Sequence, residues 1–208
     1  GLVHRPNDRT LLLLKAKAES ARSPELALPT LKALWEHDPN NSDSIVSLAE
    51  GYMAAGQYEN AVNLLMGQMA SAGDSQQRKL NLTLAMALYK NGSKTESEEI
   101  FKGLSGSEPN DPRPLLAQIR LLRDDKLWDK LRQKVDAWSD EYPDGVSSAV
   151  FIADELVASK DSESIKMAEN LLWRVLRHNP DSPVLMVRLA SLLYNTNRSV
   201  EAAPLYKR

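Results

Sequence analysis

The stretch LAEGYMAAGQYENAV, Leu48–Val62, sets small and large apolar residues at helical spacing on both sides of one glycine. Leu48, Ala49 and Tyr52 share a face before Gly56, and Tyr58 and Ala61 share one after it. Spacings of three and four residues are those of an α-helix buried along one side. Gly56 supplies the positive φ that a tight reversal between two helices needs. Two antiparallel helices approach closely only where side chains are small, so Ala49 is expected to face Ala61. The segment therefore predicts a helix hairpin.

The hairpin recurs. Pro39, Pro109, Pro143 and Pro180 each close a helical pattern, after Glu36-His37-Asp38, Gly106-Ser107-Glu108, Asp140-Glu141-Tyr142 and Arg177-His178-Asn179. From 39 to 109, 109 to 143 and 143 to 180 the gaps are 70, 34 and 37 residues. The first is about two periods of roughly 34, with the middle break expected near Ala72-Gly73-Asp74. Each proline is followed by Asn or Asp, as Pro39-Asn40, Pro109-Asn110, Pro143-Asp144 and Pro180-Asp181. Proline cannot continue a helix, and a nearby Asn, Asp or Ser caps the next one.

A two-helix period of about 34 residues resembles the tetratricopeptide repeat. In that register six units fall at 8–41, 42–75, 78–111, 112–145, 146–182 and 183–208. The second carries Leu48, Ala49, Tyr52, Gly56, Ala61 and Leu65, and the third Leu84, Ala85, Leu88, Gly92, Phe101, Leu104 and Pro109. The sixth carries Leu189, Ala190, Leu193, Ala202 and Tyr206, with Ala190 expected against Ala202 and Asn197 in the turn. The resemblance implies an all-α right-handed superhelix: one α-solenoid domain over 1–208 made of about six helix-turn-helix pairs.

Some units depart from the pattern. The first places Lys15 where a small residue is expected and opens its second helix with Ser23-Pro24-Glu25, a cap followed by proline at the first helical position. The third has Ser97 in place of alanine. The fourth has Gln118, Ile119 and Leu131 with Lys126 at the turn, so its helices are expected to splay, with Trp128 and Trp138 filling the gap. The fifth is longer by about three residues, placed either at Gly145-Val146-Ser147-Ser148 or in the turn from Ser159 to Ser164. The sixth stops at Arg208 before a polar capping helix, and the first residue is not Met. Solenoid ends need capping, so the chain is expected to be a piece of a longer protein.

Bulk properties exclude several classes. With 26 basic and 28 acidic residues, the net charge of −2 lacks the basic excess of a nucleic-acid surface. The longest apolar run, Leu11–Leu14, is far short of the roughly 20 residues of a membrane span. Zero cysteines remove disulfides, thiol catalysis and Cys-ligated zinc. This absence suits an exported bacterial domain and many cytosolic ones, so the compartment stays open. His4, His37 and His178 are the three histidines; the last two end helices two residues before proline, where imidazole interacts with the last carbonyls. Asn91-Gly92-Ser93-Lys94 lacks the glycine spacing and preceding strand of a phosphate loop. The carboxylates Asp124-Asp125, Asp140-Glu141 and Glu98-Glu99 have no reason to converge as an acid–base pair. No catalytic, metal or cofactor residues are expected.

The resemblance implies a concave groove lined by the first helix of each pair, taking a protein or peptide. Matched position by position, it assigns Leu12, Leu13 and Ala16; Val46, Ser47, Glu50 and Met53; and Lys79, Leu82, Thr83, Met86, Tyr89 and Lys90. Further along it assigns Arg113, Leu116, Ala117, Arg120 and Arg123, then Val184, Val187, Arg188, Ser191, Tyr194 and Asn195. The fifth unit is left out because its insertion obscures the register. Val46, Met53, Leu82, Met86 and Tyr89 suit an apolar segment or helix. Lys79, Lys90, Arg113, Arg120, Arg123 and Arg188 form a basic run suited to acidic groups, unless neighbouring helices already neutralise it. The family's clamp for acidic chaperone tails is matched only by Lys79. The expected function is a non-catalytic protein-interaction and assembly scaffold. The alternatives are a spacer or docking arm of a larger enzyme or a secretion or polysaccharide-export machine, and self-association through the terminal repeats; a helical-repeat RNA reader is disfavoured by charge.

Overall fold

A computed structural model describes residues 8–70, 72–108 and 111–206. His4, Pro109-Asn110 and the Arg208 end lie outside the described residues. The described residues form helices joined by turns, without strands. In order these are α1 (Arg9–Ser20) and α2 (Pro24–His37), α3 (Ser42–Ala54) and α4 (Tyr58–Met69), and α5 (Asp74–Lys90) and α6 (Lys94–Ser107). They continue as α7 (Arg113–Asp124) and α8 (Trp128–Glu141), α9 (Val146–Ala158) and α10 (Ser162–His178), and α11 (Pro183–Asn195) and α12 (Ser199–Tyr206). The chain divides into two compact units, 1–106 and 107–208.

The five hairpins from α3–α4 to α11–α12 each turn on a residue in the left-handed region. Gly56 and Gly92 have φ of 71° and 94°, and Lys126, Lys160 and Asn197 take the same left-handed region at 56°, 59° and 62°. In the second, third, fourth and sixth pairs the amide after this residue reaches back five positions. Gln57 N donates to Tyr52 O, Ser93 N to Leu88 O, Leu127 N to Leu122 O and Arg198 N to Leu193 O, at 2.8–2.9 Å. These bonds satisfy helix-end carbonyls that would otherwise lack partners. Lys126 therefore turns the chain as Gly56 does, although it carries a side chain.

The first hairpin differs, as its Ser23-Pro24 sequence predicts. Ser23 N bonds back only four residues, to Glu19 O, and Pro24 begins α2. The register moves by one: Ala16 is 4% exposed and packs with Ala27, while Lys15 is exposed. Ala16, expected in the groove, is thus the small core residue of this pair.

In the first unit Ala49 and Ala61 are both fully buried in one cluster with Val62, Leu65, Leu80 and Leu84. Ser97, in place of alanine, is buried on α6, and its Oγ donates to the Ala85 carbonyl of α5 at 2.7 Å. The hydroxyl is tolerated because the facing helix offers an acceptor. The break expected near Ala72 is real, since Gly73 caps α5.

In the second unit one core runs from Leu115 to Ala202. Ile119 and Leu131 occupy the small-residue positions and are fully buried; Trp138 is buried and Trp128 half-buried against the same core. Gly145 leaves room for the Trp138 ring, because a Cβ there would stand 3.0 Å from Cη2. The extra residues of the fifth pair lie in neither expected place. The turn between α9 and α10 keeps three residues, and α10 runs 17 residues against 14 for α8. The insertion adds most of a turn to the second helix, with Val175 and Leu176 buried at its end. A helix whose extra turn remains apolar on one side lengthens instead of looping out.

Caps follow the proline breaks with a short delay. Asn41, not Asn40, accepts from Asp43 N and Ser44 N at 3.0 and 3.2 Å. Gly145 and Ser182 cap α9 and α11 without a side-chain bond.

Candidate functional site

Within each unit the first helices of successive pairs are joined by ion pairs. In the first, Asp43 of α3 stands between Arg9 of α1, at 3.3 Å, and Lys79 of α5. Arg9 also donates to Asn41 Oδ1 at 3.1 Å. The hydrogen bond from Lys79, with smaller help from Arg9, holds the Asp43 carboxyl below its usual range. In the second unit Glu155 of α9 accepts from Arg120 of α7 at 2.6 Å and meets Arg123 at 3.4 Å. Arg123 also donates to the Glu155 carbonyl at 3.3 Å. On the other side Asp154 meets Arg188 of α11 at 3.0 Å. The bond from Arg120 is the main reason the Glu155 carboxyl is held low. In both units the middle helix supplies the acids and its neighbours the bases.

Four members of the expected basic run, Lys79, Arg120, Arg123 and Arg188, therefore already hold intramolecular carboxylates. Arg113 folds back on Asp111, with Nε 2.8 Å from Oδ1, and on Glu108 at 3.9 Å. The Lys94 ammonium lies 4.7 Å from the centre of the Tyr89 ring, a cation–π contact. Lys90 is half-buried.

The apolar groove residues divide by exposure. Val46 is only 8% exposed and belongs to the core, as do Leu12, Thr83 and Ala117. Thr83 Oγ1 donates to Lys79 O one turn earlier. Met53, Leu82, Met86 and Leu116 are half-buried, and Glu50 is exposed. Leu13, Val184, Val187 and Tyr194 stand free at 38%, 55%, 52% and 64% exposure.

The fifth pair, unassigned from sequence, contributes the largest exposed apolar group of α9: Phe151, at 59% exposure. The ion pairs set its place. Leu116, Phe151 and Val184 each precede a paired residue, Arg120, Glu155 and Arg188, by four positions, so each lies one helical turn away on the same side. Each of α7, α9 and α11 thus carries an apolar residue one turn from its paired charge. Phe151 could have been found from sequence by counting back from the α9–α10 turn instead of forward through the insertion.

Little points to chemistry. His37 and His178 are exposed last residues of α2 and α10. A cleft of about 370 Å³ includes Ser139, Asp140 and His178, residue types of a hydrolase. Yet Ser139 Oγ donates to the Asp136 carbonyl at 2.8 Å and accepts from Arg174 at 3.2 Å. That serine is not activated by a base. Among the described residues no group of three or more metal-ligating side chains is placed to hold an ion, and no helix is long and apolar enough to cross a membrane.

Residues 18–80 match the tetratricopeptide repeat family model. No curated protein sequence matches the chain. Among solved structures it is similar to yeast Tom70, at 19% identity and a TM-score of 0.50, covering 87% of this chain. This chain spans only 38% of that one. It is also similar to MamA from Desulfovibrio magneticus RS-1, at 14% identity and a TM-score of 0.44 over 96% of this chain and 91% of that one. A third, YrrB, described as a tetratricopeptide-repeat protein with an unusual peptide-binding site, shares 14% identity at a TM-score of 0.46, over 89% and 93% of the two chains. The helix hairpins and the family match agree on one segment: residues 18–80 are similar to the tetratricopeptide repeat, and the rest of the described chain shares the hairpin pattern.

Proposed function

We propose that this chain is a non-catalytic scaffold that binds a protein or peptide on the first-helix faces of its hairpins, and that the second unit holds the principal contacts. The observation that carries this reading is Phe151, more than half exposed and one turn from the engaged Glu155 on the same helix. An aromatic left in water beside a neutralised charged row is a candidate anchor for an apolar segment. In the first unit Leu82, Met86 and Tyr89 of α5 offer a second, shallower place. The family's general use as an interaction fold agrees with this reading.

A photo-crosslinking amino acid at Phe151 tests it in the native host, with Glu98 on α6 as control. The partner captured from position 151 is then purified, and its affinity for Phe151→Asp protein is measured. Capture from 151 alone, with affinity reduced about tenfold or more by the substitution, is the expected result. Equal capture at both positions, or unchanged affinity, would overturn the assignment in favour of a spacer arm.

A further inference from the structure

Arg120, Arg123 and Arg188 are the charges an acidic ligand would seek on the second unit's first-helix face, and each already holds a carboxylate. Glu155 occupies Arg120 and Arg123, at 2.6 and 3.4 Å, and Asp154 occupies Arg188 at 3.0 Å. Both acids sit on α9, the helix that also presents Phe151. We propose that Asp154 and Glu155 are built-in competitors for ligand carboxylates: they turn this face away from acidic partners and reserve it for an apolar segment lying along Leu116, Phe151 and Val184. The proposal rests on the reading of this face as a binding surface and names the class of partner.

Asp154 and Glu155 bring two negative charges to these three arginines, so neutralising both raises the local charge by two. An incoming acid must also displace groups that are covalently tethered beside their arginines. A tethered competitor acts at an effective concentration set by the fold, and free ligand rarely matches it. The competitors are unequally exposed. The Glu155 side chain is 16% exposed, while Asp154 and Arg188 are 42% and 47% exposed. Glu155 is therefore the firmer block, because a shielded pair is less weakened by solvent and salt.

The apolar residues need no such displacement. Leu116, Phe151 and Val184 are each four residues from an engaged charge, so a ligand can cover them while the ion pairs persist. Covering them removes apolar surface from water and leaves the neighbouring charges satisfied. An acidic ligand would gain new pairs only by breaking existing ones, with little net change.

The test uses a fluorescein-labelled oligoglutamate peptide and fluorescence anisotropy on the whole chain, at low and at physiological ionic strength. The unsubstituted protein is expected to show no saturable binding. Asp154→Asn/Glu155→Gln protein is expected to bind saturably at low salt, with that binding lost at physiological salt and on adding Arg120→Gln and Arg188→Gln. Saturable binding by the unsubstituted protein, or none by the doubly substituted one, would overturn the proposal. Circular dichroism checks that each variant is folded. Should the double variant fail to fold, Asp154→Asn alone frees Arg188 at an exposed pair and carries the same test. Because the probe is not the native partner, failure here is separate from failure of the crosslinking at Phe151.

Discussion

Asn179 Nδ2 donates to the carbonyl oxygen of Pro143, 36 residues earlier in the chain, and to that of Val175, both at 2.9 Å. One amide thus closes the end of α10 and ties its proline turn to the proline turn after α8. An aspartate in its place offers no donor to either carbonyl. Asn179→Asp and Asn179→Ala are each expected to lower the unfolding free energy by about 1–2 kcal/mol, read by urea denaturation.

The left-handed turn residues predict opposite effects for opposite substitutions. Gly56 has φ 71° with open space around a would-be Cβ, so Gly56→Ala meets backbone strain and no clash. A loss of about 1 kcal/mol is expected. Lys126, at φ 56°, already bears that strain. Lys126→Gly relieves it at the cost of a freer unfolded chain, for a net gain of about 0.5 kcal/mol. Thermal unfolding of the two variants should move in opposite directions.

Two other glycines differ in what surrounds them. Gly103, inside α6, has nothing near a would-be Cβ, so Gly103→Ala should stabilise by about 0.5–1 kcal/mol through helix propensity. At Gly145 a Cβ would stand 3.0 Å from the Trp138 ring and 3.1 Å from the Tyr142 carbonyl. Gly145→Ala should therefore cost about 1–3 kcal/mol by crowding, with a change in tryptophan fluorescence as the second readout.

Ser97 discriminates by size more than by polarity. Its Oγ meets the Ala85 carbonyl, so Ser97→Ala forfeits one buried hydrogen bond, worth about 1 kcal/mol. Ser97→Leu forces a larger group between α5 and α6 and should cost about 1–3 kcal/mol or more. Calorimetric melting temperatures should fall in that order.

Acid should loosen the second unit through Glu155. Its carboxyl is held below the ordinary 4.5, chiefly by Arg120. A carboxylate with a lowered pKa adds stability that is whole above the ordinary value and is lost as pH falls through the lowered one. Glu155→Gln protein should therefore lose less stability than the parent between pH 5 and the acid limit, roughly the window in which such carboxylates take up protons. A pH series of urea midpoints, converging at low pH, checks this.

Much of this protein was legible in the sequence because helix formation is local. Pro39, Pro143 and Pro180 end helices by removing a donor, Gly56 and Gly92 reverse them, and the Ala49–Ala61 spacing marks where two helices touch. Those properties act within a few residues, so the hairpin boundaries could be read before any packing was known. Even Ser97 was marked as a departure, though not the carbonyl that accepts its hydroxyl.

Tertiary packing decided the rest. Whether an arginine faces water or a carboxylate depends on which helix lies beside it. Arg120 and Glu155 are 35 residues apart, a separation no local pattern reports. The length of α10 depended on whether its extra turn found a core to cover, and it did, through Val175 and Leu176. Val46 and Phe151 both read as apolar residues on first helices, yet one is 8% exposed and the other 59%. Periodicity states which side of a helix is apolar, and only the neighbouring helices decide how much of that side remains in water.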